Sequence, residues 1–319
     1  MKTPHTILIH LLVITFAWGE KTSSNLSIKL EIERSLDLGL DWLSKEQNRS
    51  SGNWGLDEYP ALTGLAVRSF LGHPSSQISR KYEKSLNKGI DFIRSKVQSD
   101  GGIYGKGLAS YNTSICMMAL MQARNSEDDS IVQNARKFLV NQQSDFDRKG
   151  ETDNVFDGGV GYGSRWAHSD LSNTHLAMEA LFYAKKTYKN TEQEIIDLDW
   201  DAAISFVSKC QNLPSTNNEK WVSEHPEDRG GFVYFPGSSM AGEIENSDGS
   251  IALRSYGSMS YAGLLSFIYA EIDSKDPRVV AVKDWLTQHY TIEENPGMGP
   301  QVLFYYFHTM SKALSISGI

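Results

Sequence analysis

The sequence predicts an all-α protein built from repeated pairs of helices. Along most of the chain, apolar residues recur three and four positions apart, which is the spacing of an amphipathic helix rather than a strand. A short pattern also returns: an amphipathic run ends near a Gln, and a Gly-rich turn with an aromatic residue follows. Because one helix pair cannot bury its apolar face alone, such a repeat predicts that several pairs stack side by side.

The first copy of the pattern lies at 38–55 and reads LGLDWLSKEQNRSSGNWG, with its Gln at Gln47 and its turn closing on Trp54. Further copies lie at 88–104, 134–162, 202–232 and 282–299. Their Gln residues and closing aromatic residues are Gln98 with Tyr104, Gln143 with Tyr162, and Gln211 with Phe232. The fifth copy keeps Trp285 and Leu286 but ends in NPGMG without an aromatic residue. We expect the Gln to satisfy free carbonyl groups at the end of its helix, and the aromatic residue to pack against the neighbouring pair.

Each copy is followed by a second helix that is rich in small residues. These segments are YPALTGLAVRSFLG, YNTSICMMALMQA, SDLSNTHLAMEALFYA, SYGSMSYAGLLSFIYA and GPQVLFYYFHTMSKALSI. Ala, Gly and Ser allow helix backbones to approach closely, so we expect these helices to form an inner layer. The bulkier first helices are then expected to form an outer layer.

The segment GLDWLSKEQNRSSGNW resembles the QW motif of squalene and oxidosqualene cyclases, and the helix pairs resemble the repeats of protein prenyltransferase β subunits. These families share an α/α toroid, a ring of outer helices around a ring of inner helices. The resemblance covers roughly residues 27–319 and implies an α/α toroid here. Five hairpins are visible where the family ring has about six, so the ring is either open or without its last hairpin.

Composition and charge exclude one class of partner. The chain has 319 residues, 40% of them hydrophobic, and a net charge of −8. Since nucleic-acid binding needs a basic face and no Lys/Arg cluster is present, we expect no nucleic-acid partner.

The N-terminal residues 1–19 predict a cleavable export signal, with residues 20–319 forming a single domain. Lys2 precedes an apolar stretch over 7–16, and Ala17 and Gly19 are small residues with the spacing of a signal-peptidase site. The alternative is an uncleaved N-terminal anchor, although the apolar stretch is short for a bilayer span. We therefore expect a periplasmic or extracellular protein without an integral membrane span after cleavage.

The cysteine content is low. Cys116 and Cys210 both lie in helical patterns, and a disulfide between them cannot be deduced from sequence. Two buried thiols that behave as small apolar side chains are the preferred interpretation.

Candidate ligand-binding residues lie near the starts of the second helices. If these helices run in the same direction, their N-termini gather free N–H groups at one mouth of the cavity. The residues near these starts are Tyr59, Tyr111, His168, Asp170, Ser172, Asn173, Ser255, Tyr256, Tyr305 and His308. The predicted ligand-binding residues are Tyr59, Tyr111, Trp166, His168, Tyr256 and Tyr305, and the candidate catalytic residues are Asp170, His175 and His308.

The resemblance to cyclases implies an acidic DxDDTA-type motif at the start of one inner helix, and the matching stretch is DLSNTH at 170–175. Asp170 and Thr174 match, but Ser172 and Asn173 occupy the acidic positions. Protonation of an alkene needs a strong acid, so cyclase chemistry is disfavoured. Asp170 is also expected to cap its helix.

The resemblance to prenyltransferases implies a zinc site of Asp, Cys and His. FYYFHTMSKAL places His308 at the His position, but Tyr256 and Ser258 stand where Asp and Cys would be required. We therefore expect His308 to be a wall residue, and we expect neither a metal nor a cofactor.

Two further stretches carry acidic or aromatic side chains. DLDWD places Asp197, Asp199 and Asp201 before an outer helix, where capping is expected and calcium binding is the alternative. The long connection 212–250 is either a solvated insertion or a functional lid.

Three functions fit these observations. The preferred one is an exported toroid protein that binds an apolar or isoprenoid-like small ligand in its central cavity, with its enzymatic status undecided because both known motifs are degraded. The alternatives are a carbohydrate-active enzyme similar to polysaccharide lyases and a non-catalytic protein-interaction module.

Overall fold

The computed structural model describes residues 7–163, 168–188 and 196–317, with side chains from residue 25 onward except at 76 and 78. Helices make up 52% of the structure and strands are few, which confirms the all-α prediction. The α-helices of the described residues are α1 (Ile7–Glu46), α2 (Pro60–Leu71), α3 (Ser76–Lys81), α4 (Glu83–Arg94), α5 (Ala109–Ala123), α6 (Asp129–Val140), α7 (Leu171–Thr187), α8 (Trp200–Lys209), α9 (Gly257–Tyr269), α10 (Pro277–Gln288) and α11 (Leu303–Ser317).

The connection between α8 and α9 contains a short antiparallel hairpin. Its strands are β1 (Glu243–Glu245) and β2 (Ile251–Leu253), with Glu243 opposite Leu253. A 3₁₀ turn at Ser126–Asp128 leads into α6.

The helices fall into two classes with different burial. The second helix of each pair (α2, α5, α7, α9 and α11) packs against the next one in chain order, and α4, α6, α8 and α10 pack against this series. In α5, α7 and α9 nearly every residue of the first three turns is buried, whereas α4 and α6 bury one face. The close packing of α5, α7 and α9 is possible because their buried positions carry Ala, Ser, Gly and Thr.

The repeated Gln joins successive helix pairs. Gln143 Nε2 donates to the carbonyl of Gly158 in its own turn (3.0 Å) and to that of Asp199, the N-cap of α8 (2.9 Å). Gln211 Nε2 does the same with Gly230 (3.0 Å) and Arg278 at the start of α10 (2.9 Å). Gln47 likewise bonds the carbonyls of Gly52 and Ser85. Gln98 differs, since it bonds the carbonyls of Lys96 and Tyr104. Three of the Gln residues therefore bond a carbonyl of the turn and a carbonyl at or near the start of the next outer helix, and the expectation that they bond carbonyls at the end of their own helix is wrong.

The glycine of the turn is required by space as well as by conformation. Gly52 and Gly230 have φ angles of +80° and +94°. A Cβ atom at Gly52 would lie 2.6 Å from the Lys88 carbonyl oxygen, and one at Gly230 would lie 2.3 Å from that of Ala281. Each carbonyl belongs to the next outer helix, so a side chain here would separate two repeats.

Tyr104 packs against Phe138 of the neighbouring pair as expected (5.8 Å between ring centroids), but in the second and third copies the predicted aromatic residue does not occupy the position of Trp54 and Phe232. The residue after the turn donates its N–H to a hydroxyl on the following inner helix, as from Trp54 to Thr63 (3.0 Å) and from Phe232 to Ser260 (3.0 Å). In copies two and three the donors are aliphatic, Ile103 to Thr113 and Val160 to Thr174 (2.9 Å each). The repeat therefore requires a buried apolar residue and a hydroxyl partner, and Tyr104 and Tyr162 follow this position by one and two residues.

The fifth turn is organised differently. Asn295 Oδ1 accepts a hydrogen bond from Ser258 N at the start of α9 (2.9 Å), and Asn295 is itself buried. This turn therefore binds back to the preceding pair.

Two further predictions concern the whole chain. Cys116 and Cys210 are buried and unbonded, which confirms the prediction of two buried thiols. Among the described residues, none of the helices is both long enough and apolar enough to cross a membrane. None of residues 1–19, the predicted signal segment, has a described side chain, and residues 1–6 lie outside the described residues.

Candidate functional site

The first turns of four inner helices meet at one place. Ala61 N at the start of α2 donates to Asn112 Oδ1 in α5 (3.0 Å). The side chain of Ser172 in α7 lies close enough to Tyr111 of α5 and to Tyr305 of α11 to act on the pKa of both hydroxyls. The starts of these helices are therefore in contact.

The same helices also meet deeper inside, through a group of charged side chains. Glu179 of α7 accepts hydrogen bonds from Lys312 Nζ of α11 (2.7 and 2.9 Å) and from Arg68 Nη2 of α2 (3.4 Å). Each of these residues lies eight or nine positions after the start of its helix. Since starts contact starts and the deeper turns contact one another, α2, α7 and α11 run in the same direction.

Asp170 stands at the start of α7 and caps it, as predicted. Its Oδ1 accepts from Asn173 N (2.9 Å) and its Oδ2 from Asn173 Nδ2 (2.8 Å), and the Tyr234 hydroxyl is near enough to act on the pKa of Asp170. Burial raises the pKa of Asp170 to about 7, although these hydrogen bonds act in the opposite direction. A buried carboxyl with neutral partners therefore changes its protonation state near neutral pH.

Tyrosine side chains surround Asp170. The hydroxyl groups of Tyr162 and Tyr234 are 2.5 Å apart, and the charge of Asp170 acts on both of them and on Tyr111 and Tyr256. Burial raises the pKa of Tyr111 to about 12 and also raises the pKa of the other three. These hydroxyls are therefore protonated at neutral pH, and they serve as hydrogen-bonding groups rather than as bases.

A cavity of about 610 Å³ lies between α2, α5, α7 and α11. Its apolar wall includes Leu65, Ile115 and Leu176, and the exposed ring of Phe304 stands beside it. The volume is within the range of small-molecule sites, roughly 300–1,000 Å³.

Polar side chains occupy both ends of this cavity. Tyr111 and Tyr305 line it at the helix starts, and Arg68, Gln122 and His308 line it farther inside. The eleven positions from Tyr111 to Gln122 correspond to roughly 16 Å along α5. The cavity is thus an elongated, mainly apolar space with hydroxyls at one end and a guanidinium toward the other.

A larger cavity of about 1030 Å³ lies at the opposite ends of the helices and shares Arg68 and Gln122 with the first. Its wall mixes Met118 and Leu120 with polar residues of the turn after α5. Its tyrosines are Tyr183 and Tyr188, away from the helix starts where Tyr111 and Tyr305 line the smaller cavity, and we regard the smaller cavity as the candidate site.

The charged group at the inner end of the site is withdrawn from solvent. Glu179 is fully buried, and the side chains of Arg68 and Lys312 are 22% and 15% exposed. Burial alone would raise the pKa of Glu179, but Lys312 and Arg68 outweigh it and hold that pKa below its usual value. Glu179 is therefore ionised at neutral pH.

Two histidines lie between the tyrosines and the charged group. His175 Nδ1 is 3.5 Å from the Tyr305 hydroxyl, and its Nε2 has no hydrogen-bond partner among the described residues. His308 Nε2 is 3.2 Å from Lys312 Nζ. Burial lowers the pKa of each histidine to about 4, so both are neutral at pH 7.

The residues predicted from sequence occupy different parts of this region. One connected group around the helix starts contains Tyr111, Asp170, Ser172, His175, Tyr256 and Tyr305. His308 lines the cavity wall. Tyr59 precedes α2 and is not among the residues that line the cavity. The ring of His168 packs against Phe235 at 4.6 Å, and Trp166 lies outside the described residues.

Sequence reasoning missed Arg68, Glu179 and Lys312. Each is a charged residue inside a helix otherwise made of small and apolar residues. A charged residue inside such a helix was the signal from which the group could have been predicted, because a buried charge needs a partner.

The other acidic and aromatic stretches lie elsewhere. Asp199 caps α8 by accepting a hydrogen bond from Ala202 N (2.9 Å), which confirms its predicted capping role. In the long connection, His225 Nε2 bonds the Glu245 carbonyl (2.9 Å), while Tyr234 reaches the start of α7, where its carbonyl accepts from Leu171 N (2.9 Å). One part of this connection therefore contributes to the site.

Within the described residues, no group of three or more His, Cys, Asp or Glu side chains is arranged to hold a metal ion. Comparison of the chain with protein-family models and with curated proteins finds no match.

Proposed function

We propose that this protein is an α/α toroid that binds an amphipathic small molecule in the cavity between α2, α5, α7 and α11. The observation that carries the proposal is the form of this cavity, an apolar wall of Leu65, Ile115 and Leu176 with polar groups at its two ends. The order in which the inner helices pack and their common direction support the toroid, as does the resemblance of the turns to QW motifs.

The proposal concerns binding rather than catalysis. Asp170 is held by Asn173 and Tyr234 and has a raised pKa, and the neighbouring tyrosines are protonated. No strong acid or activated nucleophile stands beside the cavity among the described residues. The predicted export signal is compatible with a carrier that meets its ligand outside the cytoplasm.

Isothermal titration calorimetry with 1-dodecanol, a neutral amphipathic probe, tests the proposal. We expect saturable binding with one site per chain. The variant Leu65→Trp fills the cavity and is expected to weaken binding by about tenfold or more. Leu65 is partly exposed, so the larger ring can be accommodated at the cavity wall.

The matched control is Leu62→Trp, the same substitution on the same helix at a side chain that is 44% exposed and does not line this cavity. It should bind dodecanol like the wild type. Equal affinity of both variants, or failure of the wild type to bind dodecanol or any other twelve-carbon amphiphile, would contradict the proposal. Binding of an oligogalacturonide in place of dodecanol would support the carbohydrate-enzyme alternative instead.

A further inference from the structure

The charged group inside the cavity contains more positive than negative charge. Arg68 and Lys312 are two cations that share the single carboxylate of Glu179. Two histidines, His175 and His308, interact electrostatically with Glu179 and Lys312, and both are neutral at pH 7 because burial lowers their pKa. Tyr183 and Tyr269 also face Glu179, and burial raises their pKa, so they remain uncharged. The group therefore carries one surplus positive charge.

The surplus charge is presented to the cavity by Arg68. Its guanidinium lines the cavity, and also the larger one beyond it. Its one hydrogen bond to another described residue is the long contact with Glu179, made by Nη2. A guanidinium has five N–H donors in a planar fork, so four of them make no hydrogen bond to another described residue.

Lys312 is bound more closely than Arg68. Its ammonium contacts both carboxylate oxygens of Glu179 and lies next to His308. Lys312 thus neutralises Glu179, which leaves Arg68 as the side chain with an unmatched charge. Burial of an unmatched charge is costly unless a counter-charge binds beside it.

We propose that the ligand of this cavity carries a single negative charge of the carboxylate type, and that Arg68 binds this group. This inference rests on the proposed function and specifies its ligand class. A carboxylate offers two oxygens that match the guanidinium fork, and its one charge brings the group to neutrality. The apolar remainder of the ligand then lies along Leu65, Ile115 and Leu176 toward Tyr111 and Tyr305.

The charge count also discriminates against other ligands. A prenyl diphosphate would bring several negative charges next to Glu179, and the group has one positive charge to offer. Like charges at close range in a partly dry site repel strongly. A cationic amphiphile would meet Arg68 directly and is disfavoured for the same reason.

The test compares four probes on the wild-type protein by calorimetry: dodecanoate, 1-dodecanol, dodecyltrimethylammonium and farnesyl diphosphate. We expect dodecanoate to bind about tenfold or more tightly than dodecanol, and the other two probes to bind more weakly than dodecanoate. Equal affinity for dodecanoate and dodecanol would overturn the inference while leaving the proposed function in place. Tighter binding of farnesyl diphosphate would also overturn it. Failure of all four probes would instead overturn the proposed function itself.

The residue assignment is tested with Arg68→Met. This variant is expected to lose the preference for dodecanoate, so that its affinities for dodecanoate and dodecanol agree within about twofold. Arg68→Lys retains the charge without the fork and should show an intermediate preference, which guards against loss of fold in the Met variant. The control is Arg124→Met, which removes the same charge from a residue that lines the larger cavity and lies outside the charged group. A preference that survives in Arg68→Met, or disappears equally in Arg124→Met, contradicts the assignment.

Discussion

Asp170 and Glu179 are two fully buried carboxyl groups of one helix, α7, the first at its start and the second in its middle. Their pKa values are nevertheless shifted in opposite directions. Asp170 is surrounded by neutral hydrogen-bond donors, and burial raises its pKa to about 7. Glu179 is contacted by an ammonium and a guanidinium, and these hold its pKa below the usual value. The comparison shows that the charge of the partners, rather than the depth of burial, decides the ionisation of a carboxyl group in this protein.

The difference also separates two kinds of site. The surroundings of Asp170 contain hydroxyl and amide groups that can bind a neutral polar group. The surroundings of Glu179 contain a surplus cation that can bind an anion. A ligand that lies along α7 between them would span roughly 13 Å from one carboxyl group to the other.

The largest expected effect comes from removing the charge of Glu179. In Glu179→Gln, Arg68 and Lys312 lose their counter-charge while the side-chain size is kept, and we expect the free energy of unfolding to fall by about 3–5 kcal/mol. Urea denaturation at pH 7 measures this change. The control is Glu151→Gln, whose exposed pair with Arg148 is expected to contribute less than about 1 kcal/mol. A loss of similar size in both variants would contradict the comparison.

An intermediate effect is expected from Asp170→Asn, and it depends on pH. The folded-state pKa of Asp170 is about 7, above its ordinary value of 3.8. Between these values the folded state retains a proton that the unfolded state has released, so the stability from this group is present at low pH and is lost as pH rises toward 7. The Asn variant lacks this dependence.

We therefore expect the stability of Asp170→Asn relative to wild type to increase by about 2 kcal/mol between pH 5 and pH 7. Asn173 Oδ1 has no hydrogen-bond partner in the described structure, so after rotation of its side chain the Asn173 amide can accept a hydrogen bond from the amide introduced at position 170. Urea denaturation at a series of pH values measures the difference. A difference that does not change with pH would show that Asp170 is ionised throughout this range.

The smallest expected effect concerns the histidines that lie between the two regions. Because burial lowers the pKa of His175 and His308 to about 4, their ring resonances should stay constant from pH 5.5 to pH 8. Long-range ¹H–¹⁵N NMR spectra follow both rings, with His308→Gln used for assignment. A midpoint near 6.5 for either ring would add a positive charge to the inner region below that pH, and the charge count would have to be revised.

The sequence was informative wherever an interaction is local in the chain. The turn after Gln47 and the caps provided by Asp170 and Asp199 follow from short-range patterns, and the helical repeat placed Tyr111 and Tyr305 each at the start of its own helix. The position after the turn was misassigned in two copies because Tyr104 and Tyr162 lie close to the buried Ile103 and Val160. A single sequence gives no means of recognising that an aliphatic residue replaces Trp54 there.

The charged group could not be predicted because its contacts are distant in the chain. Arg68 and Glu179 are 111 positions apart, and Glu179 and Lys312 are 133 positions apart. Helical periodicity places each residue on a helix but does not tell which turn of one helix faces which turn of another. The contact between residues that lie equally far from the starts of their helices is fixed only when the helices pack side by side.

The Gln side chains that bond the next outer helix have a consequence for how the chain acquires its fold during synthesis. The partners of Gln47, Gln143 and Gln211 lie 38, 56 and 67 positions downstream, so each of these turns is completed after the following hairpin has emerged from the ribosome. Maturation should therefore advance in steps from the N-terminal end, with α4, α8 and α10 each securing the turn made before it.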